Sequence, residues 1–498
     1  MYGSMMSRWI EDPTFDDHDL SDYLCGPSAP NNSIVTCPQM RNCSFDATLG
    51  TDPLLNGTCP DGCYTCLHKT LWPMAPDDFL TFAALFVCGI LAGASGIGGG
   101  GLNVPLLMLA GGFLVSEAVP LSHVMVFGNA IAQNLINAPR THPHSTKRPL
   151  IDLDVPLLML PAQLGGNTIG VLLGPVLPAS AVESLAIVLL GYAALKTLYT
   201  ASKAYKKESA ETAAAQLIAN TTNATSSATT GFDAPSTRTA VKPLLSGEAY
   251  PIDREAGGSS DEHPAGSAPA AIDESSACPV DFRLLLLMGL WLALVLDFLG
   301  SHKWGGHGGI CSAPRLAWLF GQLGVVAIAS AMGGLFLYKI QFVRDANGEP
   351  VLPGDTVWKA KNTISLPFMG FLVGVVAGLL GLGGGELMAP LLLAIGMLPQ
   401  VASATSACMV LFTSSADIAH YAFQGILTPD PGYVSTLLCL GFLSAFIGRT
   451  LALKLVRRLS HPSYIAFVLG FVLLGSLSLL VVQVMHQKVD WNFAPLCH

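Results

Sequence analysis

The chain has 498 residues, of which 51% are hydrophobic and only 12% charged, and its formal net charge is −9. A soluble protein of this length needs far more charge to cover its surface. A nucleic-acid binder would show a basic stripe rather than an acidic balance. The mean hydropathy of +0.51 points to the bilayer.

Residues 1–77 read as an extracytoplasmic, cysteine-rich head. Cys25, Cys37, Cys43, Cys59, Cys63 and Cys66 lie together with glycosylation sequons at Asn31, Asn42 and Asn56. Cysteines clustered beside sequons predict an oxidising compartment and a disulfide-stapled domain. The rival is a zinc site, because Cys59, Cys63, Cys66 and His68 have ligand spacing. Sequons have no use in the cytosol, which favours disulfides. Nothing ahead of residue 78 resembles a secretory h-region, so the first apolar span is expected to direct insertion itself.

Apolar runs of about 20 residues, the length a membrane helix needs, then follow. Residues 78–96, 118–138, 155–177 and 182–201 make a first membrane repeat (78–204). Residues 205–280 turn to Ala, Ser, Thr, Gly and Pro. That composition cannot bury enough apolar surface to offset its chain entropy, which predicts a disordered cytosolic linker. The sequons at Asn220 and Asn223 inside it are then chance matches. Residues 283–299 and 316–343 are two connecting spans (281–343), followed by a cytosolic loop (344–362). Residues 364–381, 401–423, 434–455 and 464–485 make a second repeat (363–485), with a C-terminal tail (486–498).

The two repeats are copies. Phe86, Gly89, Ala92, Gly93, Gly96, Gly98, Gly99, Gly100, Leu102, Pro105, Leu106 and Leu107 all recur unchanged at a constant offset of 285 residues. Past one gap, Ala118 and Ser122 match Ala402 and Ser406. Lys and Arg cluster at 140–148, 203–207, 344–361 and 454–458, which the positive-inside rule assigns to the cytosol. The head belongs outside. Both hold if each glycine motif is the bend of a hairpin, with 102–115 and 387–398 returning across or deep into the membrane. The halves then have opposite orientation, as in many secondary transporters. The predicted fold is all-α and polytopic, with two inverted repeats that each open with a glycine-broken hairpin.

Gly96 to Gly101 match the spacing of a dinucleotide fingerprint, but the strand–turn–helix context it requires is missing. Inside a membrane helix, such glycines turn the backbone and strand amide N–H groups. Broken backbone survives there only against protein or a water-filled cavity. Each break is followed by a helix N-terminus, with Pro105 and Pro390 in the opening turns, where proline is tolerated. A helix N-terminus binds anions without any lysine. The candidate substrate-binding residues are Gly98, Gly99, Gly100, Gly383, Gly384, Gly385, Asn129, Thr405 and Ser406. The plainer reading is close helix packing through small residues; two matched clusters favour a site.

Gln133, Asn134, Thr413, Ser414 and Ser415 add polarity that interhelical hydrogen bonds explain in part. Glu386 and Asp417 are candidate coupling residues, since carboxylates in a bilayer are expensive and usually functional. A protonated Glu386 can donate to a bound anion; alternatively it caps the helix that follows it. Arg449 and Lys196 sit near cytosolic ends and are expected to snorkel. An intramembrane enzyme would need a paired catalytic set, for which only Asp417 and His420 offer themselves, so neither an enzyme nor a cofactor is expected.

The glycine motif at 96–107, repeated at 381–392 and followed by residues 402–406, resembles the TauE/SafE sulfite-exporter family. The resemblance covers roughly 78–203 and 364–485. It implies a permease for sulfite, sulfonates and related sulfur-containing anions. The head, the linker and the extra spans depart from compact bacterial members and look eukaryotic. Pro120, Leu121, Ser122 and His123 stand where the second repeat has Ala404, Thr405, Ser406 and Ala407, so the half-sites are not equivalent. The expected function is alternating-access transport of a small anion, coupled to protons or driven by the membrane potential. The expected partners are that anion and the lipid bilayer, with no nucleic acid; a homo-oligomer is compatible with the sequence. The expected location is the plasma membrane or an endomembrane. The alternative is a membrane receptor or scaffold that binds proteins through the head and linker.

Overall fold

The computed structural model of the chain describes residues 25, 37, 40–46, 63–173, 177, 179–227, 282–304, 313–348, 356–380, 384–423, 427, 430–459 and 463–486. The chain divides into one unit of Met1–Ser209 with Phe282–His498, and a second of Ala210–Asp281. Among the described residues, eight helices are long and apolar enough to cross a membrane. The chain is an α-helical, polytopic membrane protein.

In the head, β1 (Arg41–Asp46) pairs antiparallel with β2 (Cys63–His68). Disulfides join Cys25 to Cys43 and Cys37 to Cys66. The sulfurs of Cys25, Cys37 and Cys66 lie within 4.8 Å of one another, the cluster a metal would use, but they are engaged in these two bonds. Asn42 is exposed on β1. Cys59, Asn31 and Asn56 lie outside the described residues.

The head is tied to the membrane helices. Asp78, in the first turn of α1 (Pro76–Ser95), accepts from Lys69 Nζ at 2.5 Å, from Ala75 N at 2.8 Å and from Tyr433 Oη at 2.9 Å. α1 stops at Gly96 (φ 87°), and Gly99 (φ 81°) opens α2 (Gly100–Gly111). Both φ values lie in the left-handed region that glycine adopts without steric cost. At 1.5 Å per residue α2 is about 18 Å long, well short of a hydrocarbon core of about 30 Å. It is a re-entrant half-helix that returns toward the head: His68 Nε2 donates to Gly111 O at 2.9 Å, and the His68 ring stacks on Phe113 at 3.8 Å. α3 (Val115–Asn137) starts at the same end, where Arg41 reaches Glu117 at 2.5 Å. The first glycine motif is therefore the bend of a hairpin.

α3 crosses to a short hairpin of β3 (Thr141–His142) and β4 (Ser145–Pro149), and α4 (Asp154–Leu173) follows. α5 (Ala179–Ser227) runs on through residues 205–227, which the composition had assigned to a disordered linker. Alanine, lysine and glutamate are strong helix formers, and Lys206, Lys207, Glu208 and Glu211 with Ala213–215 let the helix leave the apolar region without breaking. Residues 228–281 lie outside the described ones.

α6 (Phe282–Trp304) and α7 (Ala313–Ala346) are the connecting helices. The second half repeats the first as α8 (Ala360–Leu380), α9 (Gly385–Ala394), α10 (Pro399–Phe423), α11 (Pro431–Leu459) and α12 (Ser463–His486). α9 has 10 residues, about 15 Å, and is again a half-helix.

The halves interlock. α11 packs on α1 and α3, and α4 packs on α8, so each half's first helix lies on the other half's fourth. Glycine permits the approach: a Cβ on Gly374 would strike Gln163 O, and one on Gly448 would strike Ile90 O. The equivalent helices α3 and α10 run antiparallel. His123 meets Asp417 at the head end, Asn134 Nδ2 donates to Ala407 O at 2.9 Å, and Asn137 meets the Ser403 region at the far end. Val126, Ala130 and Val410 form a buried cluster midway along this contact.

Candidate functional site

The two glycine breaks meet midway between α3 and α10. A Cβ on Gly385 would lie 3.5 Å from Gly98 N, so the opening residues of both half-helices face each other across the two halves. Gly101 N donates to Glu386 Oε1 at 2.7 Å. Residues 101 and 386 are equivalent positions of the repeat, 285 residues apart. The carboxylate of one half thus occupies the helix N-terminus of the other. Residue 101 has no side chain because Glu386 Oε2 fills the place a Cβ would take. Glu386 is fully buried, and its Oε2 makes no hydrogen bond. A carboxylate oxygen on a backbone amide at the positive end of a helix is an anion-binding arrangement, filled here from within the protein.

Amides and hydroxyls surround this point. Gln133 Nε2 donates to Ile97 O at 3.4 Å and also bonds Asn129 Oδ1. Ser406 Oγ donates to Gly385 O at 3.4 Å, and Gln163 Nε2 occupies the place of a Gly384 Cβ. Among the described residues, buried Asn103 Nδ2, Asn129 Nδ2, Gln133 Oε1 and Gln163 Oε1 have no partner. Each such atom costs roughly 1–3 kcal/mol if it stays unsatisfied, so their concentration at the breaks makes this a candidate place for a polar ligand.

Of the residues singled out in the sequence, Gly98, Gly99, Gly100, Gly384, Gly385, Asn129, Ser406 and Glu386 come together here. Gly383 lies outside the described residues. Thr405 is turned away; its Oγ1 accepts Asp152 N at 3.1 Å and holds the segment ahead of α4. Asp417 is separate from Glu386. Asn167 Nδ2 bonds its Oδ1, and its Oδ2 lies 3.2 Å from His123 Nδ1. Its histidine neighbour in space is thus His123 of the other half, not only His420 one turn along its own helix.

The sequence reading missed Gln163 and Asn167, although two amides one turn apart in an apolar span were a signal. It saw His123 only as an asymmetry between repeats. Arg449 does not snorkel. It is fully buried, with Nε donating to Asn137 Oδ1 at 2.9 Å and Nη1 to Ser403 Oγ at 2.8 Å. Its position on α11 faces α3 and α10 rather than lipid, and burial follows from that face.

The family description "Sulfite exporter TauE/SafE" matches residues 80–239 and 266–479, which include both glycine breaks, Glu386, Asp417 and Arg449. The chain belongs to the TauE/SafE family. Sulfite exporter TauE/SafE family protein 5 of Arabidopsis thaliana is 27% identical over 396 residues, covering 78% of this chain and 79% of the relative. Family protein 1 of the same plant is 27% identical over 395 residues, at 78% and 79% coverage. Family protein 2 is 26% identical over 421 residues, at 82% of each chain. No solved structure matches the chain. The TauE/SafE match begins after the disulfide-linked residues of the head, and the chain is a multi-pass membrane transporter of that family.

Proposed function

We propose that this TauE/SafE chain is a permease for a small sulfur-containing oxyanion, sulfite or a sulfonate, carried by alternating access at the paired half-helix N-termini. The hydrogen bond from Gly101 N to Glu386 Oε1 carries the reading. An ionised Glu386 fills the amide that a substrate oxygen would take. A proton on Glu386 releases that amide and turns the carboxyl into a donor for the bound anion. Anion and proton then favour each other's binding reciprocally, which is symport. The halves act as an inverted pair moving about the antiparallel α3–α10 contact. His123, Asp417 and Asn167 close the path on the head side, and Arg449, Asn137 and Ser403 close it on the other. The relatives of Arabidopsis thaliana are named as sulfite exporter family proteins, which supports a sulfur oxyanion.

Purified protein in proteoliposomes is the direct test. Labelled sulfite is expected to enter at least about tenfold faster than a carboxylic acid of similar size, a selectivity of about 1.4 kcal/mol. Equal flux of sulfite, sulfate and the organic acid would remove the assigned substrate class.

The basic segment 140–148 lies at the end of α3 opposite the head, and the positive-inside rule supports a reading in which the head faces outside. The salt bridges Arg41–Glu117 and Lys69–Asp78 hold the head on the transport core, which disfavours a free receptor domain. Glycans are expected on Asn42, exposed on β1, or on Asn31 or Asn56. An endoglycosidase shift that persists after these three asparagines are replaced, and maps to Asn220 or Asn223, reverses the orientation.

A further inference from the structure

Arg449 lies at the end of the α3–α10 contact away from the head, fully buried. Two of its nitrogens are engaged by Asn137 Oδ1 and Ser403 Oγ, and the third, Nη2, has no partner among the described residues. Asn137 is also fully buried; its Oδ1 takes the Arg449 Nε–H, which leaves Nδ2 as a second donor with no acceptor. No carboxylate pairs with Arg449 among the described residues, and the charge that bears on it is a second cation, Arg140. Buried cations are ordinarily paired with an anion. Here the described residues supply none, and the two free groups are both donors.

We propose that Arg449 Nη2 and Asn137 Nδ2 form a second anion site, which holds the transported oxyanion between the central glycine breaks and the basic side of the membrane. The inference rests on the oxyanion-permease reading and adds a station to it. The guanidinium offers a planar, permanently charged fork suited to sulfite or sulfonate oxygens. Its supports come from both halves: Asn137 on α3 of the first, Arg449 and Ser403 on α11 and α10 of the second. Relative motion of the halves therefore opens or closes it. It also touches the first break, because Ser403 Oγ fills the place of a Cβ on Gly96 at the end of α1. An anion released from the central amides meets this fork next.

The rival role is a tether that merely joins the halves, and Asn137→Asp separates the two. As a tether, aspartate gives Arg449 a charged partner and holds the halves at least as well. As an anion site, it neutralises the guanidinium and sets a negative charge where sulfite binds. Full-length protein in proteoliposomes is assayed with sodium sulfite against sodium gluconate, with thermal stability read in parallel. The expected result is unchanged or higher stability without sulfite and a KM for sulfite raised at least about tenfold. Arg449→Lys, which keeps the charge but loses the fork, is expected to raise KM as well, and it serves if the aspartate variant does not reach the membrane. Wild-type KM in either inserted variant makes Arg449 a tether and overturns the proposal, while the central site stands. If the wild-type protein moves neither sulfite nor an organic sulfonate, both readings fall together.

Discussion

Gly98→Val is expected to lower anion flux at least about 100-fold while the protein still inserts, the loss that removal of one preorganised donor causes at an oxyanion hole. Gly98 N lies at the meeting point of the two half-helices, opposite Gly385. A valine there puts methyl groups between the amides and any incoming oxyanion. It also creates a packing conflict, because the new Cβ would strike Val126 Cγ1 and lie 3.3 Å from Val410 Cγ1. The single variant therefore cannot distinguish a lost site from a disturbed interface. Gly98→Ala combined with Val126→Ala can, since it removes the strongest clash and keeps a methyl over the amide. Flux that stays low in the double variant locates the loss at the amide. Flux that returns to the wild-type rate makes Gly98 a packing glycine. Gly385→Val, whose Cβ meets Val410 Cγ2, is expected to behave like Gly98→Val.

Glu386→Gln is expected to keep anion-for-anion exchange and to lose acceleration by a proton gradient. In a one-to-one symport, each unit of pH difference drives about tenfold accumulation of the anion. Wild-type vesicles should show that ratio; the glutamine variant should show the same accumulation with and without the gradient. Like the protonated acid, glutamine carries no charge and offers an N–H to a bound anion, but it cannot titrate. The rival role is capping, in which the carboxylate simply stabilises the N-terminus of α2 across the interface. Capping predicts a less stable protein with its pH-driven uptake intact. Should the variant retain that uptake, coupling passes to Asp417, which has a histidine of the other half beside it at 3.2 Å.

The capping alternative shows how far the sequence reached at this residue. The repeat alignment marked position 386 as a carboxylate added to one half, and hydropathy placed it inside the membrane. On the sequence alone, its natural partner is the half-helix that it opens. Folding instead turns it onto the equivalent position of the other half, 285 residues away. No local pattern encodes that pairing, because it depends on two breaks being brought tip to tip.

Asp417 and Arg449 make the same point. A polar residue in an apolar span reads identically whether it faces lipid, a neighbouring helix or a cavity, so helical spacing offers His420 for Asp417, and a place near a cytosolic end suggests snorkelling for Arg449. Packing adds His123 of the other half to Asp417 and sets Asn137 beside Arg449. What the sequence determined by itself is what depends on local chemistry. Long apolar runs require membrane helices, glycine clusters break them, cysteines beside sequons form disulfides, and near-identical segments fold alike. Tertiary structure alone decided which helix of one half lies on which of the other. It also decided which buried donors and acceptors find partners, because those follow from shape complementarity between distant surfaces, where a few glycines set how closely two helices approach.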